Sequence, residues 1–538
     1  MSALGELAAW AHGLRLDDVP PFVRARAVDQ LLSTLGAMYA GAASELGPKL
    51  DLLFADVAPE TTREAMRMAS WSMVLDYDDV MLGGHTSHSA VVVPLAFADG
   101  HSGAELLLAQ IVANEIAARV NMVCAVGSTR GQMATHLHLL AAAAARAKLE
   151  GLDAATFADA LSFALAYPAQ ALYPAFLGSD AKALCAALPV RAGIEAVDAV
   201  RAGLRAPGEV LDGPRGFFAT HARVPVRDFL GGLGTRWHTA TNSFKIYPVC
   251  GYLCSAVDAT LDLVRTYDVD ADDVASVDVH ASLFTVGMDA HSVPYIDGPR
   301  SPIAALTFST PFVIASAIRA RAFTPAQLER AWIEDERVWQ LAARVQTRHD
   351  PRLTRDALTA DIPIGAALRR VKKWQAGGFA WSIAATAFGR AGRLRRPVET
   401  LRLIAGLTAA AGDRAPMEFE RATKPMGARV AMRLRDGRTL EREVSIPRGF
   451  AGGIDDIRTL MIHKFLAAAA PELGSARAAT AAVALEHYES LSPDGVARLV
   501  DVLARETPPF TRASAAAAAS TPAMRGGRSS EGRSSRLS

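Results

Sequence analysis

Cysteine is scarce in this chain, and neither sign of charge dominates. Only Cys124, Cys185, Cys250 and Cys254 occur in 538 residues, too few for a disulfide framework, and only the last two are close in sequence. Helical spacing puts that pair on one face, yet no other Cys or His follows at ligand spacing, so no metal site is expected. Lys and Arg number 57 against 56 acidic residues, which leaves no field to steer the chain toward nucleic acid or an anionic membrane. The start, Met-Ser-Ala-Leu-Gly-Glu-Leu, lacks the basic and apolar regions of a secretory signal. The one long uncharged stretch, Ala160 to Ser179, contains Pro168, Gln170 and Pro174; it reads as a buried helix ending near Pro168, not as a membrane span. The expectation is a soluble, cytoplasmic protein with reduced thiols.

Alternating strand patterns are nearly absent before residue 268, whereas helical spacing recurs over 2–16, 22–44, 59–75, 90–98, 103–124, 132–150, 154–167, 182–203 and 247–267. Gly41 is read as the stop of the second helix, and Thr61 and Thr62 as caps of the third. The unbroken run Ala141 to Ala145 implies closely approaching helices. From Val269 the texture changes. Val274 to Leu283 alternates at period two, and Ala428 to Ile446 gives two alternating runs joined by Asp436-Gly437, a hairpin signal. Helices are expected between them near 309–322, 325–345 and 354–368, and the helical period returns from Ile454. The spacing thus predicts a mainly α protein: a helical domain over 1–268, an α+β segment over 269–450, final helices over 451–511 and a disordered tail over 512–538. The basic stretch 369–397, with Trp374 and Trp381, is read as a solvated surface and not as a nucleic-acid patch.

Chemistry concentrates between Leu75 and Pro94. Asp76, Asp78 and Asp79 precede a Gly83-Gly84 step, expected to be flexible, which delivers His85, Thr86, Ser87, His88 and Ser89 just before an apolar run. Such a density of proton-transfer groups beside a hydrophobic segment suggests a pocket; the alternative is a loop that caps the next helix. Imidazole titrates near pH 7 unperturbed, so His85 or His88 suits acid–base work. Asp76 and Asp79 are candidates to orient one of these rings, or to cap. Lys182, set early in an Ala-rich helix, is costly unless it reaches solvent or an anion.

Several segments in fixed order resemble the MmgE/PrpD family over roughly residues 5 to 505: Asp76-Tyr77-Asp78-Asp79 with His85 to Pro94, Glu115 with Arg119, Gly131-Gln132, Ser179-Asp180-Ala181-Lys182 with Gly193, Lys245-Ile246-Tyr247-Pro248-Val249-Cys250 with Asp258, and Ser301-Pro302 before Phe308-Ser309. The resemblance implies a cofactor-free homodimer whose subunits join a helical domain to an inserted α+β lid, with the active site between them. It also implies proton removal next to a carboxylate of a small carboxylic acid, then loss of water or carbon dioxide, or return of the proton to the other face. Lys182 matches the family's active-site lysine, and its histidine motif falls on His85 or His88. Two positions depart from the pattern: Gln132 and Cys254 stand where relatives carry histidine. On a helix, His136 would share the face of Gln132 while His138 pointed elsewhere. The candidates are therefore His85, His88, Asp79, Lys182 and Gln132 for catalysis, with Asp76, Ser89, Lys245, Tyr247 and Cys254 for substrate binding. A lyase is the leading expectation, an epimerase or isomerase the second, and a catalytically reduced binding protein the third.

Overall fold

A computed structural model describes residues 2–127, 131–132, 135–168, 170–381, 397–412 and 417–505. The protein is mainly α-helical with small sheets. The tail and residues 382–396 of the basic stretch 369–397 lie outside the described residues.

Three helices form the centre. Gly103–Val123 starts at a capping box, in which Ser102 accepts from the Glu105 amide and the Glu105 carboxylate accepts from Ser102. By length and composition it would cross a membrane, but 89% of that window is buried inside the protein. It packs on Thr135–Leu149, which packs in turn on Leu184–Arg201. Ala141 to Ala145 are all buried at these contacts, because methyl side chains let helix axes approach closely. A second layer pairs Pro21–Ala43 with Glu60–Val74 on one side and with Ile457–Leu473 on the other. Both ends of the chain therefore build the same helical body.

The hairpin signal is realised as strands Ala428–Leu434 and Thr439–Val444, with Gly437 at φ 90° in the turn. They extend a four-stranded sheet ordered Val345–His349, Val274–Ala281, Ala428–Leu434, Thr439–Val444, its first pair parallel and the others antiparallel. One face lies on helix Cys254–Thr266, which also packs on Thr310–Ala320. Strand Val345–His349 was not anticipated. The run 325–345, expected as one helix, divides into Pro325–Leu328, Arg330–Ile333 and Glu336–Ala342 before it.

Two punctuation signals had other causes. Gly41 does not end its helix, which continues to Ala43; a Cβ there would lie 1.8 Å from the Trp71 carbonyl oxygen, so glycine serves a close crossing. Helix Glu60–Val74 is preceded by Pro59 and has no side-chain cap from Thr61 or Thr62.

Candidate active site

Helix Glu60–Val74 runs out into Leu75, and the next residue takes a left-handed backbone, Asp76 at φ 54°. Aspartate tolerates this region better than most residues, and such strain persists where surrounding contacts enforce it. Here two ammonium groups do so. Asp76 Oδ1 accepts from Lys182 Nζ at 2.7 Å, and Oδ2 accepts from Lys245 Nζ at 2.8 Å. Burial pushes the Asp76 carboxyl up, but Lys182 and then Lys245 outweigh it and hold the group down at about 2.

Asp79–Val80 forms a short antiparallel ladder with Ser243–Phe244, which sets Lys245 beside Asp78. Lys245 is fully buried and all three of its N–H groups are used, on the Asp76 carboxylate, the Asp76 carbonyl (2.9 Å) and Asp78 Oδ1 (2.7 Å). Asp78 Oδ2 serves both imidazoles, His85 Nδ1 at 2.5 Å and His88 Nε2 at 3.2 Å. Despite burial, Lys245 and the two rings hold the Asp78 carboxyl well below the usual range. His88 is pinned at its other nitrogen by Ser72 Oγ, 2.8 Å away, and is 1% exposed; the His85 side chain is 31% exposed. The Gly83-Gly84 step that presents the rings is not flexible. Met81 and Gly84 exchange two backbone bonds of 3.1 Å, Gly84 has φ 108°, and a Cβ on Gly83 would lie 2.2 Å from that of Ala118.

These groups line one cavity. Asp76, Asp78, His85, His88 and His138 face it together with Thr135, Phe176 and Cys185, and its volume of about 20 Å³ admits about one water molecule. Lys182 stands behind Asp76, 1% exposed, with its ammonium 5.3 Å from the Phe176 ring centre and 4.7 Å from that of Phe308. It therefore does not reach solvent. It belongs to a 3-10 turn, Asp180–Ala183, whose Ser179 cap precedes the helix proper at Leu184.

Other candidates lie elsewhere. The orienting role expected of Asp79 falls to Asp78, because successive side chains of extended backbone point to opposite sides. Asp79 Oδ2 instead accepts from Gln30 (2.9 Å) and Asn242 (2.6 Å). Ser89 meets His138 Nδ1 at 3.0 Å behind the cavity wall. Tyr247 donates to Asp258 at 2.7 Å and, like the fully buried Cys254, is not among the lining residues. Burial pushes the thiols of Cys254 and Cys185 up, the latter to about 11, so both stay protonated near neutral pH.

The histidine expectation is reversed. Gln132 sits in a two-residue ladder opposite Ala171, ahead of the helix that starts at Thr135, and its side chain lies outside the described residues. Thr135 and His138, three residues apart, share the face toward the cavity. His136 packs against Phe217 and His221, and burial drags it down to about 3. His138 is likewise held well below the usual histidine value by burial and by His88 and His85, so it stands neutral. Sequence reasoning missed His138 because the helix start was placed at 132. Phe308 entered only as part of the family resemblance and with no role, for want of any local chemical signal. Among the described residues no three His, Cys, Asp or Glu side chains are grouped to hold a metal ion.

Comparisons with known proteins place the chain in a family. Residues 5–227 match the MmgE/PrpD N-terminal domain and residues 247–378 the MmgE/PrpD C-terminal domain. A cis-aconitate decarboxylase of Aspergillus terreus (strain NIH 2624 / FGSC A1156) is 25% identical over 390 residues, covering 65% of this chain and 79% of that protein. A second Aspergillus terreus cis-aconitate decarboxylase is 26% identical over 296 residues, 49% of this chain and 60% of its own length. The first matched segment contains Asp76, Asp78, His85, His88 and Lys182, Lys245 lies just ahead of the second, and the chain belongs to the MmgE/PrpD family.

Proposed function

We propose that the protein is a lyase of the dehydratase or decarboxylase type, acting without a cofactor on a small carboxylic acid by removing a proton next to a carboxylate. The observation that carries this reading is the continuous chain Lys182, Asp76, Lys245, Asp78, His85, whose two carboxylates and imidazole line the cavity while the two lysines stand behind them. With Nδ1 held by Asp78, the Nε2 lone pair of His85 is the available base, and the carboxylate stabilises the imidazolium formed on proton abstraction. Among the described residues Lys182 has one hydrogen-bonded partner, so once the site opens its remaining N–H groups are the donors for a substrate carboxylate and for the enediolate that follows. Lys245 has no N–H to spare and acts by holding Asp76 and Asp78 in place. In dehydration the C–H electrons become the new double bond, the hydroxyl leaves, and the imidazolium protonates it. In decarboxylation the carboxylate leaves as carbon dioxide, its C–C electrons pass to the neighbouring carbon, and His85, entering this reaction as the imidazolium, gives that carbon its Nε2 proton.

The small cavity describes a closed site, and opening is required before an organic acid enters. We assign that movement to the sheet-bearing segment 269–450 as a lid, since it contributes Phe308 above Lys182, and His291 stacks on Tyr173 with ring centres 5.2 Å apart. A homodimer located in the cytoplasm completes the proposal.

The test is a panel of hydroxy di- and tricarboxylic acids and their unsaturated counterparts, cis-aconitate included, incubated with enzyme in deuterated water. Loss of water or carbon dioxide from at least one compound, absent in His85→Asn, is the expected result. Exchange of solvent deuterium into otherwise unchanged substrate would reassign the site to epimerisation. Inertness toward the whole panel, or full activity of His85→Asn, would overturn the reading.

A further inference from the structure

Helix Ile457–Leu473 carries a lysine on its buried side, in line with Met461 and Phe465. Lys464 is 4% exposed, a costly position for an ammonium unless every N–H finds an acceptor. Its Nζ finds three: Ser33 Oγ at 2.9 Å, the Lys245 carbonyl at 3.1 Å and the Tyr77 carbonyl. The same nitrogen lies 4.1 Å from the centre of the Tyr77 ring. Its stem passes over Gly36, where a Cβ would come within 3.0 Å of Lys464 Cγ.

The identity of the acceptors gives these contacts meaning. Ser33 belongs to helix Pro21–Ala43, Tyr77 lies between Asp76 and Asp78, and Lys245 bridges those two carboxylates. Among the described residues Lys464 makes no hydrogen bond to a carboxylate; it grips the backbone of the two segments that carry the charges. It also lies beyond residue 378, where the second matched segment ends. We propose that Lys464 is a positioning residue that locks the Asp76–Asp78 turn to Lys245, and through Asp78 sets the direction of His85, without touching substrate. Its kinetic part rests on the reaction proposed above; its structural part does not.

The experiment compares Lys464→Met with Met461→Ala, a packing change on the same buried stripe that removes none of the hydrogen bonds of Lys464. Two quantities are read: steady-state kinetics, and amide hydrogen exchange in peptides spanning 75–80 and 243–247. Lys464→Met should lower kcat about a hundred-fold with KM nearly unchanged, the cost of a misplaced catalytic group. It should also raise exchange in both segments about ten-fold, a local opening that Met461→Ala does not produce. Lys464→Arg should restore part of both. Should Lys464→Met fail to fold, Ser33→Ala removes one acceptor and should raise exchange in the same two segments to a smaller degree. Exchange no faster than in Met461→Ala, or an undiminished kcat, overturns the proposal. If wild-type protein turns over no acid, the reaction reading falls while the exchange comparison still decides the role of Lys464.

Discussion

Replacing Asp76 by Asn tests the electrostatic logic of the site most directly. Asparagine accepts the same left-handed backbone and nearly the same shape, so the change isolates charge. The variant resembles the protonated acid, and the folded protein disfavours that form: the carboxyl lies at about 2 instead of 3.8, because Lys182 and Lys245 together outweigh its burial. At about 1.4 kcal/mol per tenfold change, the difference is about 2 kcal/mol. A folded-state value below the unfolded one means stability that is fully present above about pH 4 and is lost as pH falls toward 2. Asp76→Asn should therefore be less stable than wild type by about 2 kcal/mol at pH 7, and the gap should close below pH 4. Asp76→Ala, which leaves two buried ammonium groups without that acceptor, should cost about 3–5 kcal/mol. Urea titrations at pH 7, 5 and 3 measure both. A stability equal to wild type at pH 7, or a gap independent of pH, would refute the idea that this carboxylate is held charged by the two lysines.

Lys182→Met should raise KM for the substrate about ten-fold or more while the fold survives, since Lys245 still satisfies Asp76; an unchanged KM in steady-state assays would remove Lys182 from substrate binding. Asp78→Asn should lower kcat by about a hundred-fold through loss of the His85 partner. Asp79→Asn should instead cost about 1–3 kcal/mol in denaturation, with kcat near wild type, because its contacts are to Gln30 and Asn242. Tyr247→Phe should cost about 1 kcal/mol by removing a donor to Asp258, and a kcat loss there would place Tyr247 nearer the chemistry than its contacts do.

Much of the helical architecture was legible because the 3.6-residue period is a local property. The runs 22–44, 103–124 and 154–167 are realised as Pro21–Ala43, Gly103–Val123 and Ala154–Ala166. Breaks in the period were harder to see. The run 247–267 contains an irregular approach, a 3-10 turn and then helix Cys254–Thr266, because Pro248 and the Cys250 amide bond to Thr307 hold the chain off helical geometry. At the site the residue types were evident and their partners were not. Choosing Asp78 over Asp79 required knowing which side of a two-residue strand faces inward, which only the ladder with Ser243–Phe244 decides. Lys464 had a faint signal, a lysine on an otherwise apolar stripe, but its acceptors lie hundreds of residues away. No local pattern encodes a contact of that separation.

The packing of Ile457–Leu473 against Pro21–Ala43 bears on how the protein is made. Translation proceeds from the amino terminus, and the early helices begin to collapse while the rest of the chain is still on the ribosome. Tyr77 and Lys245 then wait for a donor that arrives late, so a nascent chain carries every acidic and basic group of the ion-paired cluster before the side chain that bridges their backbone. A chain cut short before Lys464 retains the histidines, both aspartates, Lys182 and Lys245, and lacks the donor that joins the Tyr77 and Lys245 carbonyls.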